Sequence, residues 1–193
     1  RRRARSTAAR AAAADAVAAH LVTGLHGVRV LAAFVPDPSE PGCGRLPDAY
    51  TELGAEVLLP VIPSQGRILD WAHYTGELEH GPFGLSQPVG PRLGALAIRD
   101  AEAVVVPALA VDRFGIRLGR GGGYYDRALV HARSDAVLVT VVFDESVDTY
   151  FARQLVLERL AQAREQFGLL DWLREADVDS QLSAVVCVRR PGR

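Results

Sequence analysis

The chain has 193 residues, enough for one domain with a sizeable core, and 49% hydrophobic and 23% charged residues are ordinary for a globular protein. With a net charge of -1, the chain lacks the overall positive charge that would indicate a nucleic acid as partner. No apolar run is long enough to span a membrane, and no charged stretch followed by an apolar core indicates a signal peptide. The two cysteines, Cys43 and Cys187, lie far apart, so we expect reduced thiols in a cytoplasmic protein.

The predicted elements alternate between helix and strand. Residues 8–22 are dense in alanine and predict a helix, and shorter helical stretches cover residues 48–53 and 124–132. Near-continuous apolar runs, typical of strands buried on both faces, cover residues 28–34, 55–61, 103–109, 137–143 and 184–188. Residues 82–94, rich in Pro and Gly, predict a long connection. The alternation predicts an α/β fold of three layers, with a mainly parallel central sheet and helices on both faces.

Residues 148–173 depart from this alternation. An apolar stripe with helical spacing runs along Val156, Leu160, Ala163, Phe167 and Leu170. We interpret the segment as a helix packed on the sheet, and a helix that binds a partner or forms a dimer is the alternative.

The sequence RLGRGGGYYDR at residues 117–127 is typical of a phosphate-binding loop. It follows an apolar strand and precedes the predicted helix start at Tyr124, so backbone N–H groups and the helix N-terminus would converge on an anion. Arg117 and Arg120 are suitable donors to phosphate oxygens, and Asp126 is suited to the magnesium that accompanies a nucleotide. The loop matches neither the Walker A motif nor the dinucleotide fingerprint, and a tight loop with structural glycines is the alternative.

Residues 106–129 (VPALAVDRFGIRLGRGGGYYDRAL) resemble the signature of the 5-formyltetrahydrofolate cyclo-ligase family. Five further segments resemble the family in order and spacing: FVPDPSEPG at 34–42, LLPVI at 58–62, LDW at 69–71, GPFGLSQP at 81–88 and VTVVFDESVD at 139–148. The resemblance implies an ATP- and Mg²⁺-dependent enzyme that converts 5-formyltetrahydrofolate to 5,10-methenyltetrahydrofolate and releases ADP and phosphate.

The resemblance also implies roles for individual residues. The ATP phosphate loop would comprise Arg117, Leu118, Gly119, Arg120, Gly121, Gly122, Gly123, Tyr124 and Tyr125. Arg120, Gly121, Gly122, Gly123 and Tyr124 would also line the folate site, with Arg120 and Tyr124 catalytic. Glu40 would bind the pterin ring, Phe34 and Val35 would form an apolar wall, and Trp71 would add an aromatic face. Asp126 and Asp179 would hold magnesium, with Asp177 as the alternative to Asp179.

Structural interpretations of the same residues remain open. Glu40 would otherwise be a loop carboxylate, and Asp126 a residue that complements the helix dipole. Tyr124 and Tyr125 would be core or half-buried aromatics, an interpretation that we expect to hold for one of the two.

Some features depart from the family pattern. The chain contains no Met and no Lys. The lysine that reaches ATP from the family's first helix therefore has no counterpart, and we expect that residues 1–193 form a single domain whose N-terminus is truncated. Gln87 stands where the family has glutamate, and the Pro and His that the family places near its last metal carboxylate are missing. A helix at about 149–173 is an insertion.

These departures leave a non-catalytic relative that binds nucleotide and folate as the alternative function. An RNA-binding protein that uses residues 1–6 as a basic arm is disfavoured, since no interleaved arginines and aromatics follow. We expect small molecules as the only ligands and a monomer, or a dimer through the inserted helix.

Overall fold

The computed structural model describes residues 7–38, 40, 42–111, 116–143 and 184–189. The helices are α1 (Thr7–Gly24), α2 (Leu46–Glu52) and α3 (Tyr124–Leu129), with 3-10 helices at Pro82–Gly84 and Ala95–Asp100. The strands are β1 (Val30–Ala32), β2 (Glu56–Val61), β3 (Asp70–His73), β4 (Leu78–His80), β5 (Ser86–Pro88), β6 (Ala103–Pro107), β7 (Ala110–Val111), β8 (Arg117–Leu118), β9 (Val137–Phe143) and β10 (Ala184–Arg189). None of the helices in these ranges has the length and apolar character that crossing a bilayer requires.

Six of the strands form the central sheet, in the order β10-β9-β6-β1-β2-β3. The four inner strands are parallel, since β1 pairs with both β2 and β6, and β6 pairs with β9. The edge strands β3 and β10 run antiparallel to their neighbours. The inner strands are almost entirely apolar because other layers cover both faces of a parallel sheet. The predicted mainly parallel sheet is confirmed.

Helices α1 and α2 cover one face of the sheet. Val17 and Leu21 lie one turn apart on α1, and Tyr50 lies on α2; all three pack with Leu31 and Leu59 of the sheet. Complete burial of each aliphatic side chain stabilises the fold by about 1.5–3 kcal/mol. This face therefore accounts for the alanine-dense first helix, whose small side chains allow close approach to the sheet.

The opposite face is covered by the 3-10 helix Ala95–Asp100 and by α3. Ile98 and Ala128 from these helices pack with Val104 and with Trp71, whose side chain is fully buried. Helices thus lie on both sides of the sheet, and the predicted three-layer α/β architecture is confirmed.

The chain reverses its direction of travel across the sheet between β1 and β6. From β1 it proceeds outward through β2 to β3, and from β6 it proceeds outward the other way through β9 to β10. In open α/β sheets, ligands bind outside the carboxyl ends of the strands at such a switch point. The segments that follow β1 and β6 flank this position.

Several short elements were not predicted. The strand β3, the β4–β5 hairpin and the β7–β8 pair consist of strands of two to four residues, too short to show periodicity. The predicted connection at residues 82–94 contains a 3-10 helix and β5. Strand β1 is shorter than the predicted 28–34, because its pairing with β2 covers only three residues. The predicted helix at residues 148–173 lies outside the described residues.

Candidate active site

The chain leaves β1 along a path that α2 fixes. Phe34 is buried with α1 and α2, and its carbonyl accepts a hydrogen bond from the Tyr50 hydroxyl at 3.1 Å. Tyr50 is fully buried, and this burial raises the pKa of its hydroxyl well above the usual value. The hydroxyl therefore remains a neutral donor, and α2 sets where the chain turns across the carboxyl edge of the sheet.

Glu40 closes a tight turn beyond this point. Its backbone N–H donates to the Asp37 carbonyl at 2.9 Å, and the Asp37 N–H donates in return to Glu40 Oε2 at 2.9 Å. Burial is the main reason that the pKa of the Glu40 carboxyl is raised, and the Asp37 N–H opposes this effect. The turn leaves the second carboxylate oxygen, Oε1, for contacts outside it.

The glycine loop after β8 needs two of its three consecutive glycines for their backbone conformation. Gly121 and Gly123 have φ angles of 86° and 69°, in the left-handed region that favours glycine. A Cβ at Gly122 would lie 3.0 Å from Cδ2 of Tyr124, so contact with the first aromatic ring restricts this position. The loop brings backbone, rather than side chains, to the carboxyl edge of the sheet.

Arg120 joins the glycine loop to the turn after β1. Its guanidinium lies 2.5 Å from Oδ2 of Asp37 and 3.2 Å from Oε1 of Glu40. The hydrogen bond to Asp37 is the main reason that the pKa of Arg120 is raised. The structure thus brings together the predicted pterin-binding carboxylate and the predicted phosphate-binding arginine, which are 80 positions apart in sequence.

Arg117 is held by contacts within the protein. Nη1 donates to the carbonyl of Pro107 at the end of β6 at 2.9 Å, and Nη2 lies 2.5 Å from Oδ1 of Asp126. The guanidinium carbon lies 5.8 Å from the centre of the Tyr125 ring, within cation–π range. Arg117 therefore connects β6 with the first turn of α3, while Asp126 remains largely exposed on that turn.

The two tyrosines at the start of α3 differ in their surroundings. Tyr124 packs against the cluster that contains Trp71, whereas Tyr125 contacts both core clusters. The Tyr125 hydroxyl is buried without a hydrogen-bond partner in the described structure, and burial raises its pKa. Tyr125 is therefore a partly buried aromatic packed against both core clusters, which agrees with the structural interpretation for one of the pair.

The other candidate residues are distributed more widely. Leu118 pairs with Ala110 in the short β7–β8 ladder, next to Gly119. Val35 packs with Phe34 against the α1–α2 side of the sheet, but Trp71 belongs to the cluster on the opposite side. The predicted metal ligand Asp179 and its alternative Asp177 lie outside the described residues.

Asp126 provides a suitable donor for a magnesium ion. Mg²⁺ prefers oxygen ligands and is usually bound by one or two carboxylates, substrate phosphates and water. An exposed carboxylate immediately after the glycine loop fits that donor set. Within the described part of the chain, no three His, Cys, Asp or Glu residues are grouped so as to hold a metal by themselves.

Sequence reasoning missed three residues that shape this site. Asp37 pairs with Arg120, Tyr50 supports Phe34, and Arg127 donates to the carbonyls of the glycine loop. Asp37 lies within the segment that resembles the family, three positions before Glu40, a spacing compatible with a shared turn. Tyr50 has no local sequence signal, and only its tertiary contacts identify it. The sequence signal for Arg127 is that it is a basic residue in the helix that follows the glycines.

Gln87 is buried in the β4–β5 hairpin, directly opposite Glu79. Its amide Nε2 donates to Glu79 Oε1 at 2.9 Å. A glutamate at position 87 would place two carboxylates in this contact, whereas glutamine supplies a donor. Glutamine at position 87, where the family has glutamate, is therefore compatible with its neighbour Glu79.

Comparison with known proteins gives a consistent set of relatives. The model of the 5-formyltetrahydrofolate cyclo-ligase family matches residues 1–149. A 5-formyltetrahydrofolate cyclo-ligase from Mycolicibacterium smegmatis is 47% identical over 124 residues, which are 62% of this chain and 64% of the relative. One from Escherichia coli K12 is 34% identical over 79 residues, 39% of this chain and 43% of the relative. The matched region thus spans less than two thirds of each of these relatives.

Two solved structures are also similar. The NMR structure of Aquifex aeolicus 5,10-methenyltetrahydrofolate synthetase has a TM-score of 0.47 and 24% identity, covering 65% of this chain and 72% of that one. The synthetase from Mycoplasma pneumoniae has a TM-score of 0.49 and 18% identity, covering 66% of this chain and 69% of that one.

Proposed function

Because the chain belongs to the 5-formyltetrahydrofolate cyclo-ligase family, we propose that it converts 5-formyltetrahydrofolate and ATP to 5,10-methenyltetrahydrofolate, ADP and phosphate. The observation that carries the proposal is the contact of Arg120 with Glu40 at 3.2 Å. It joins the segment that resembles the family's phosphate loop with the segment that resembles its pterin-binding glutamate. Both segments lie at the switch point of the sheet, where α/β proteins bind ligands.

The proposed reaction activates a poor leaving group. The N5-formyl oxygen attacks the γ-phosphorus of ATP, and ADP leaves with the electrons of the broken P–O bond. N10 then attacks the formyl carbon and loses its proton, and phosphate departs with the former formyl oxygen. Since the substrates supply all reacting atoms, the task of the protein is to position them and to stabilise the charge that develops.

Arg120 is the residue best placed to stabilise that charge. Its guanidinium is half-exposed and lies between the glycine loop and the turn that carries Glu40. A phosphate on the loop and the pterin at Glu40 would therefore both lie within its reach. Tyr124, at the end of the loop, would face the formyl group, and the buried wall at Phe34 would exclude water from the pterin.

Glycines 121–123 would admit the phosphates close to the backbone, where N–H groups replace water as donors. Bound magnesium would neutralise part of the phosphate charge. Asp126 would hold that ion together with Asp179. The ion pair between Arg117 and Asp126 keeps the carboxylate at the edge of the loop.

The direct test is the absorbance of the methenyl product. The full chain, mixed with 5-formyltetrahydrofolate, ATP and Mg²⁺, is expected to form product with one ADP released per turnover, and to form none when ATP is omitted or EDTA is present. Product that forms without ATP would contradict the proposed chemistry, and product that forms in EDTA would contradict the metal assignment. If both ligands bind in calorimetry without turnover, the chain is instead the non-catalytic relative.

Glu40→Gln is expected to raise the KM for 5-formyltetrahydrofolate by about tenfold or more. A carboxylate can accept hydrogen bonds from two pterin N–H groups, whereas an amide would place its own NH₂ donor against one of them. The KM for ATP is expected to change by less than about threefold, because only the indirect contact through Arg120 is altered. Initial rates at varied folate and varied ATP measure the two constants separately.

Glu102→Gln is a matched control for this substitution. Like Glu40, Glu102 contacts a backbone N–H and a guanidinium, and both of these groups belong to Arg29. The Glu102 side chain is 23% exposed, compared with 16% for Glu40. It precedes β6 and so lies at the amino edge of the sheet, away from the site. Both KM values should remain at the wild-type level in this variant. An effect of Glu40→Gln on ATP alone would place Glu40 on the wrong side of the pocket.

A further inference from the structure

We propose that Arg127 is a positioning residue that orients the peptide groups of the glycine loop for binding of a nucleotide phosphate; this inference rests on the proposed function. Arg127 lies in α3, four residues after Gly123. Its Nη1 donates to the carbonyl of Gly123 at 2.8 Å and to the carbonyl of Gly122 at 3.4 Å. Its backbone N–H also donates to the Gly123 carbonyl, at 3.2 Å.

These contacts determine the direction of two N–H groups. In a trans peptide the N–H points opposite to the C=O of the same unit, and the described chain contains no cis peptide bond. The Gly122 carbonyl shares its peptide with the N–H of Gly123, and the Gly123 carbonyl shares its peptide with the N–H of Tyr124. Since both carbonyls face the Arg127 guanidinium, both N–H groups face the other side of the loop.

The loop requires such support because of its composition. Glycine occupies more of backbone conformational space than any other residue, so that ordering three in a row costs more entropy than ordering other residues. Gly121 and Gly123 have positive φ angles, and a Cβ at Gly123 would lie 2.5 Å from Arg127 Nη1. The guanidinium therefore occupies the space beside the loop that a side chain would fill, and it holds the carbonyls before any ligand arrives.

Arg127 acts through the loop and not as a phosphate ligand. Its guanidinium lies on the carbonyl side, whereas an anion would be bound on the N–H side. Arg117 has a different role, because its guanidinium links β6 to Asp126. Loss of Arg127 should therefore disturb the nucleotide phosphates and leave the pterin end of the site, at Glu40, unaffected.

The test compares Arg127→Gln and Arg127→Lys with Arg133→Gln in the full chain. Arg133 is an exposed arginine paired with Asp135 at the amino edge of the sheet, so that its loss controls for a missing surface charge. Calorimetry measures the affinities for a non-hydrolysable ATP analogue and for 5-formyltetrahydrofolate, thermal unfolding measures stability, and initial rates separate KM for ATP from kcat.

Arg127→Gln is expected to weaken the ATP analogue and to raise the KM for ATP by about tenfold, the scale of one charged hydrogen bond. Folate affinity should remain within twofold of wild type and the melting temperature close to that of Arg133→Gln. Arg127→Lys should recover part of the loss, because an ammonium can still donate to one carbonyl. Unchanged analogue affinity in Arg127→Gln, or equal losses for both ligands, would overturn the inference. A wild-type chain that binds neither ligand would overturn the proposed function itself.

Discussion

Asp126→Asn is expected to lower kcat by about 100-fold, the scale of losing one preorganised electrostatic group. Asparagine has nearly the same shape and keeps an oxygen that accepts from Arg117, but it lacks the charge that would hold magnesium beside the phosphates. Because asparagine is also tolerated in the first turn of a helix, the free energy of unfolding should change little. Turnover at varied Mg²⁺ and urea denaturation measure the two effects, and excess Mg²⁺ should restore part of the rate.

Asp135→Asn is the matched control for the loss of an exposed, paired carboxylate. The Asp135 side chain is 64% exposed and pairs with Arg133 at 2.5 Å, whereas Asp126 is 69% exposed and pairs with Arg117 at the same distance. Asp135 precedes β9 at the amino edge of the sheet, so its variant should turn over as wild type does. If Asp126→Asn were fully active, the role of Asp126 would be limited to stabilising the start of α3. If the variant were unfolded, Asp126 would be a structural residue.

On the proposed function, Arg120→Gln is expected to lower kcat/KM by about 100- to 1,000-fold, because the guanidinium that would stabilise the charge on the transferring phosphoryl group is lost. The substitution also leaves Asp37 and Glu40 without their arginine, so the affinity for folate should fall together with the affinity for ATP. Arg120 differs in this respect from Arg127, whose loss is expected to affect ATP alone. Separate titrations with the two ligands distinguish the residues.

Arg133→Gln is again the control. The Arg133 side chain is 40% exposed, compared with 49% for Arg120, and each arginine lies 2.5 Å from an aspartate. If Arg120→Gln retained wild-type kcat/KM, the ion pairs of Arg120 would serve only to join two loops. If it lost folate binding and kept ATP binding, Arg120 would belong to the pterin end of the site alone.

The apolar runs in the sequence predicted the inner strands well, because strands buried on both faces need continuous apolar residues. Strand β9 has the predicted bounds, 137–143. The edge strand β3 was missed, since it combines Asp70 and His73 with two buried residues in only four positions. Its register comes from pairing with β2, which is a tertiary interaction and leaves no local signal.

The resemblance to the family identified Glu40 and Arg120 by position, but it did not predict their contact. That contact depends on β1 and β6 being neighbours in the sheet. The sequence also predicted Arg117 as a phosphate ligand, from its charge beside the glycine loop and from the resemblance to the family. The structure adds that its two terminal nitrogens already bind Pro107 and Asp126, a pattern set by the path of the chain after β6.

The placement of β1 between β2 and β6 has a consequence for folding during synthesis. Leu31 pairs with Val57 on one side and with Ala103 on the other, so the second partner emerges from the ribosome long after the first. Until residues 103–107 are available, a nascent β1–β2 pair exposes an unpaired apolar edge, which is a template for aggregation. The candidate site includes residues that follow β6, so a nascent chain that has acquired them has also made the strand that closes this edge of β1.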